Sequence, residues 1–165
     1  MTAPPGTQRH RFGIPRTKHR AGFTLIELLM VVVVIGLLAR IGSQRYWHYL
    51  ERVKVAKAIG DIKTIQTDID SFENENNRLP IDLAEIGRTA LLDPWGAPYT
   101  YAPFPGGNPT GGARKDRSLV PINSTYDLYS KGADGSTVGP LTAPVSRDDI
   151  VRANDGGFIG PARNF

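Results

Sequence analysis

The sequence predicts an α+β chain. One long N-terminal helix, apolar in its first half and amphipathic in its second, packs on a small antiparallel sheet with extended loops. Three observations carry this. Residues 23–39 read FTLIELLMVVVVIGLLA. Apolar residues then recur every three or four positions as far as Phe72, and no proline falls between Phe23 and Asn77. From Pro94 onward, 9 prolines and 11 glycines fall in 72 residues, a turn-rich texture that admits only short strands.

The N-terminal segment comes first. The chain has 165 residues, suited to one small domain, and a formal charge of +4. That charge is unevenly placed. Residues 1–22 hold Arg9, Arg11, Arg16, Lys18 and Arg20 with no acid, whereas the remainder has 15 basic and 16 acidic residues. The remainder therefore has no basic stripe for phosphate contacts, and no nucleic-acid partner is expected. With no cysteine, disulfides, thiolate metal sites and a cysteine nucleophile are excluded.

The apolar run is flanked by Arg20 and Arg40. As a helix it spans about 26 Å, slightly short of a bilayer core of about 30 Å, and extension past Arg40 closes the gap. Residues 23–44 are therefore expected to form a single-pass membrane helix with the basic N-terminus cytoplasmic. A secretory signal peptide fits badly, because the run is too long and no small-residue cleavage site follows it. Within the run stands Glu27, a carboxylate that costs on the order of 2.5–3.5 kcal/mol at a membrane centre. Two readings are open. The side chain stays wet near the interface, or it pairs with a cation of a neighbouring chain.

Residues 45–77 continue the helix. Val55, Ile59, Ile62, Ile65, Ile69 and Phe72 form one apolar face, and charged residues fill much of the rest. Asn76-Asn77 before Leu79-Pro80 marks the stop. Gly36, Gly42 and Gly60 each cost about 1 kcal/mol relative to alanine and point to close packing of helices, or to a stretch that melts on assembly. The cluster Tyr46-Trp47-His48-Tyr49 fits an interfacial aromatic belt. His48 is the one histidine after Gly22, which leaves little room for a zinc site or a serine triad. No enzymatic activity is expected.

In the globular part, residues 78–165, a short amphipathic stretch carries Leu83, Ile86, Leu91 and Leu92. Strands are expected at 99–102 and 126–130, and 103–120 reads as an exposed loop.

The stretch RAGFTLIELLMVVVVIGLLA resembles the leader-cleavage signal of type IV prepilins and pseudopilins. KAIGDIKTIQTDIDSFENENNRLP, LLDPWGAPYTY and YDLYSKGADG resemble the major pseudopilin of type II secretion systems. The resemblance implies a type IV pilin-like fold and removal of residues 1–22 by prepilin peptidase after Gly22. It also implies methylation of Phe23, with Glu27 neutralising the terminal amine of an adjacent subunit. The implied partners are copies of the same chain, minor pseudopilins, an inner-membrane assembly platform and membrane lipid. The implied location is the bacterial inner membrane and, after assembly, a periplasmic filament that drives protein export. The alternative is the major subunit of a surface type IV pilus. A membrane-anchored enzyme or binding module would instead retain residues 1–22. The resemblance also implies a calcium site with the Lys131 carbonyl, Asp134, and Asp148 or Asp149 as ligands. The alternative there is a turn at Asp134-Gly135 and a solvated cap at Asp148-Asp149.

Overall fold

A computed structural model describes residues 22–109 and 111–165, and the backbone alone for residues 41–45. The basic leader, apart from Gly22, lies outside the described residues. Two compact units form, Met1–Ser43 and Gln44–Phe165. The first helix, α1, is Leu25–Asn76 and contributes to both.

In the first unit, side chains from Phe23 to Leu38 are exposed. Among them, Phe23 is 81%, Leu25 84% and Ile26 76% exposed. Among the described residues, no helix is long and apolar enough to cross a membrane. The stretch described with side chains reaches only Arg40, and the expected span over 23–44 draws on residues 41–44 for its remaining length.

In the second unit, α1 is amphipathic as its spacing predicts. Ala58, Ile62, Ile65 and Ile69 are fully buried, at intervals of four, three and four. They pack with Tyr99, Tyr126, Leu128 and Ile150. Ala58 was absent from the expected apolar face because its single methyl group carries little hydropathy signal. The helix stops at Asn77, whose φ of 53° places it in the left-handed region and whose N–H donates to the Glu73 carbonyl at 2.8 Å. Asparagine tolerates that conformation better than most residues, so the chain can turn here.

Residues 78–98 form turns rather than the expected amphipathic element, yet Leu79, Leu83, Ile86 and Leu91 cover the edge of the core. Leu92 remains 50% exposed. Ion pairs tie the segment down: Arg78 to Glu85 through two bonds of 2.9 Å, and Arg88 to Asp68 on α1 at 2.7 Å.

The sheet is a meander of four antiparallel strands in chain order, β1 Thr100–Pro103, β2 Tyr126–Ser130, β3 Ile150–Ala153 and β4 Phe158–Pro161. Tyr101 faces Leu128, Tyr129 faces Val151, and Val151 faces Gly160. Alternation along β2 and β3 sends Leu128 and Ile150 to the α1 side. Val151 and Ala153 face the other way and join Ile122, Leu141 and Ala162 in a second cluster, flanked by Tyr129, Phe158 and Phe165. The strands expected at 99–102 and 126–130 are present, the first displaced by one residue. β3 and β4 were not foreseen, because IVRA and FIGP are four residues each, with no extended alternation.

The loop expected over 103–120 is exposed at most of its described residues, with two buried exceptions. Phe104 and Arg114 are buried, and the Lys115 N–H donates to the Gly139 carbonyl at 3.1 Å. The segment is held by the residues it covers.

Two predictions follow from this packing. Ile65→Ala leaves a cavity in a sealed helix–sheet contact and should lower unfolding free energy by about 2–5 kcal/mol, read from the denaturant midpoint. The Arg78 guanidinium and the Ile81 N–H hold the Glu85 carboxyl down at about 2 against an ordinary 4.5. A depressed folded-state pKa stabilises fully above the unfolded value. The advantage of the parent over Glu85→Gln should therefore be complete at neutral pH, shrink below about 4.5 and vanish near 2, as measured by thermal melts across that range.

Candidate functional site

The helix start is built by Thr24. Its hydroxyl oxygen accepts the Glu27 N–H at 3.3 Å, and its carbonyl accepts the Leu28 N–H at 3.2 Å. Thr24 is thus the N-cap, and Thr-Leu-Ile-Glu has the spacing of a capping box. The sequence argument missed Thr24, although its Thr-x-x-Glu signal was legible. The cap fixes Glu27 in the first helical turn, where its charge also complements the helix dipole. Within this unit Glu27, Met30, Val31, Val34 and Ile35 line a shallow, open depression of about 260 Å³. Gly22 and Phe23 precede the helix without regular secondary structure and are exposed.

This surface cannot stay in water. Each large apolar side chain gains about 1.5–3 kcal/mol on full burial, and thirteen from Phe23 to Leu38 are exposed among the described residues. The surface needs a cover that its own fold does not provide.

The other expected site lies at the end of β2. Gly132, with φ of 68°, sits so close to Asp148 that an added Cβ would lie 2.4 Å from the Asp148 carbonyl oxygen. Asp148 Oδ2 accepts the N–H groups of Ala133 and Asp134 at 2.8 and 3.0 Å. Asp134 is exposed and closes its own turn, Oδ1 accepting the Ser136 N–H at 2.8 Å. Lys131 is half-buried between Ser130 and Gly132. Asp149 differs from all of these. It is fully buried, and its Oδ2 accepts bonds from the Arg114 guanidinium and, at 2.6 Å, from the Thr137 hydroxyl. Burial pushes the Asp149 carboxyl above its ordinary value, while the Thr137 bond and the Arg114 charge act against that shift.

These residues do not fit a calcium ion as they stand. Calcium takes six to eight oxygens with free lone pairs. Here Asp149 Oδ2 is engaged by a guanidinium and a hydroxyl, Asp149 Oδ1 is buried with no hydrogen-bond partner among the described residues, and one Asp148 oxygen is engaged by two N–H groups. Among the described residues, no three His, Asp or Glu side chains cluster to hold a metal. A turn is present at Asp134-Gly135, as the alternative has it. The solvated helix cap is not: Asp148 accepts two N–H groups of that distant turn, and Asp149 is buried against Arg114.

A second anchor organises the DPWGAP segment. Buried Asp93 accepts the N–H groups of Trp95 and Ala97 through Oδ1 and the Ser130 hydroxyl through Oδ2, at 3.0, 2.9 and 2.5 Å.

Comparison with known proteins accounts for both halves. Residues 17–39 match the model described as the prokaryotic N-terminal methylation motif, which marks the chain as prepilin-like. The chain is 30% identical over 137 residues to a type II secretion system core protein G of Pectobacterium carotovorum, covering 81% of this chain and 84% of that one. It is also 30% identical over 146 residues to a protein of the same name from Pseudomonas aeruginosa, covering 74% of this chain and 89% of the relative. A fimbrial protein of Pseudomonas aeruginosa is 41% identical, but over 54 residues, a third of each chain. No solved structure matches the chain. The chain belongs to the type II secretion core protein G family, the major pseudopilins.

Gly132→Ala should lower stability by about 2 kcal/mol or more, since it meets backbone and takes a left-handed φ. Chemical denaturation of the variant beside Gly135→Ala, which has open space at the same sign of φ, separates the clash from the conformational cost.

Proposed function

We propose that this chain is the main structural subunit of a periplasmic type II secretion pseudopilus. It is cut after Gly22 by prepilin peptidase, methylated at Phe23, and polymerised to drive protein export. The observation that carries this reading is the exposed apolar surface of residues 23–38 with one carboxylate, Glu27, set in its first turn.

Before assembly, membrane lipid covers that surface, with the N-terminus cytoplasmic and residues 45–165 periplasmic. The exposed rings of Tyr46, Trp47 and Tyr49 then sit at the headgroup level. On assembly, copies of the same helix replace lipid. Gly36 has open space where a Cβ would be, so its lack of a side chain serves no contact within this chain and suits close approach of another helix. Glu27 gains the terminal amine of a neighbouring Phe23, a cation available only after cleavage. A repeated head-to-tail contact that does not close yields a helical fibre. The inner-membrane assembly platform and minor pseudopilins are the further partners of this reading. The chain contributes structure, and the energy comes from elsewhere, since the sequence has no Gly-x-x-x-x-Gly-Lys-Ser/Thr loop.

Mass spectrometry of the mature chain should find a methylated Phe23 at the N-terminus; an intact residue 1–22 segment counts against processing. Glu27→Gln keeps the shape but removes the charge, and should lower filament yield about tenfold or more while leaving membrane insertion intact. Normal filaments and normal export from that variant would remove Glu27 from the assembly contact. Long external fibres with export unaffected by deletion would instead favour a surface pilus.

A further inference from the structure

We propose that Arg114 is a built-in cation that organises the 131–149 loop in the place of a metal ion, so that this loop is ordered without calcium. The inference concerns the C-terminal loop alone and holds whichever filament the chain builds.

The geometry is that of a cation site with a guanidinium in it. Arg114 is 2% exposed and reaches inward from a segment whose composition is that of a surface loop. Three oxygens of different kinds converge on it. Nη2 donates to the Asp149 carboxylate, and Nη1 donates to the Thr137 hydroxyl and to the Val138 carbonyl, the last at 2.9 Å. A carboxylate, a hydroxyl and a main-chain carbonyl are the ligand types a hard divalent ion collects. Here they come from both ends of the loop, Thr137 and Val138 on one side and Asp149 on the other, so the cation closes it.

Arg114 is itself held in place. Its N–H donates to Asp127 Oδ2 at 2.6 Å, and its guanidinium carbon lies 4.4 Å from the centre of the Tyr129 ring. A planar guanidinium suits this position because it stacks on an aromatic face and forks toward several oxygens at once. The loop closes further through Ser146, whose hydroxyl accepts the Val138 N–H and donates to the Val138 carbonyl, both at 2.9 Å. Asp148 adds its bonds to Ala133 and Asp134. A divalent ion at the same oxygens would meet a fixed positive charge already there, with Asp149 the buried carboxylate between them.

Thermal melting of the purified full chain in detergent, with a chelator and then with about 10 mM calcium chloride, tests this. Even the weakest extracellular calcium modules would be saturated at that concentration. An ion bound only by the folded chain would raise the folded-to-unfolded ratio about tenfold or more. The expected result is no change between the two conditions and no saturable heat in a calcium titration. A rise in melting temperature with calcium, or saturable binding, overturns the proposal. Arg114→Gln should cut the folded-to-unfolded ratio about 100-fold by leaving Asp149 buried without its cation, and Asp149→Asn added to it should recover part of that loss. An Arg114→Gln variant as stable as its parent also overturns the proposal. Should the variant fail to fold, the calcium response of the parent chain decides alone.

Discussion

Everything in the second unit depends on the seal between one face of α1 and the sheet. Ala58, Ile62, Ile65 and Ile69 are removed from water by Tyr99, Tyr126, Leu128 and Ile150, and the meander of short strands has no other apolar surface of that extent to fold against. Strands of four or five residues are marginal alone, so the helix serves as their template. The same helix, from Leu25 to Leu38, offers apolar side chains that nothing in its own unit covers. A chain of this size can supply one cover, and it spends that cover on the residues that build the globular part.

Outside the helix–sheet contact, order comes from buried polar groups beside the smaller apolar cluster of Ile122, Leu141, Val151, Ala153 and Ala162. Asp93 fixes the turn before β1, Asp127 ties Asn123 and the Arg114 backbone to β2, and Arg152 lies 3.9 Å from the centre of the Tyr126 ring while donating to the Asn123 side chain. Each replaces water around main-chain groups that no ladder pairs. This is why a segment with so many prolines and glycines holds a defined path. The Arg114–Asp149 pair belongs to this set, and what sets it apart is that its partners include oxygens from both ends of one loop.

Family similarity reaches different parts of the chain to different extents. The methylation motif covers residues 17–39, the start of the chain alone. Similarity to the core protein G relatives extends over 74–81% of the chain and so includes the globular part. Agreement with the fimbrial relative stops at a third of it.

The residues alone determined the long helix, its stop at Asn76-Asn77 and its buried face, because a 3.6-residue period is a local property that an apolar side chain every third or fourth position reports directly. They also carried the methylation-motif match at residues 17–39, since that signal is linear. β1 and β2 were legible from aromatic-rich runs at 99–102 and 126–130. β3 and β4 were not, because four-residue strands carry no period long enough to detect and gain their identity from pairing with residues far away in the chain. The same holds for the acidic pair at the tail. Asp148 and Asp149 look alike as neighbours, and only the tertiary structure turns one toward the N–H groups of Ala133 and Asp134 and buries the other against Arg114, 35 residues earlier. A carboxylate's role is set by whichever cation or donor the fold brings to it, and that partner cannot be read from its position in the chain.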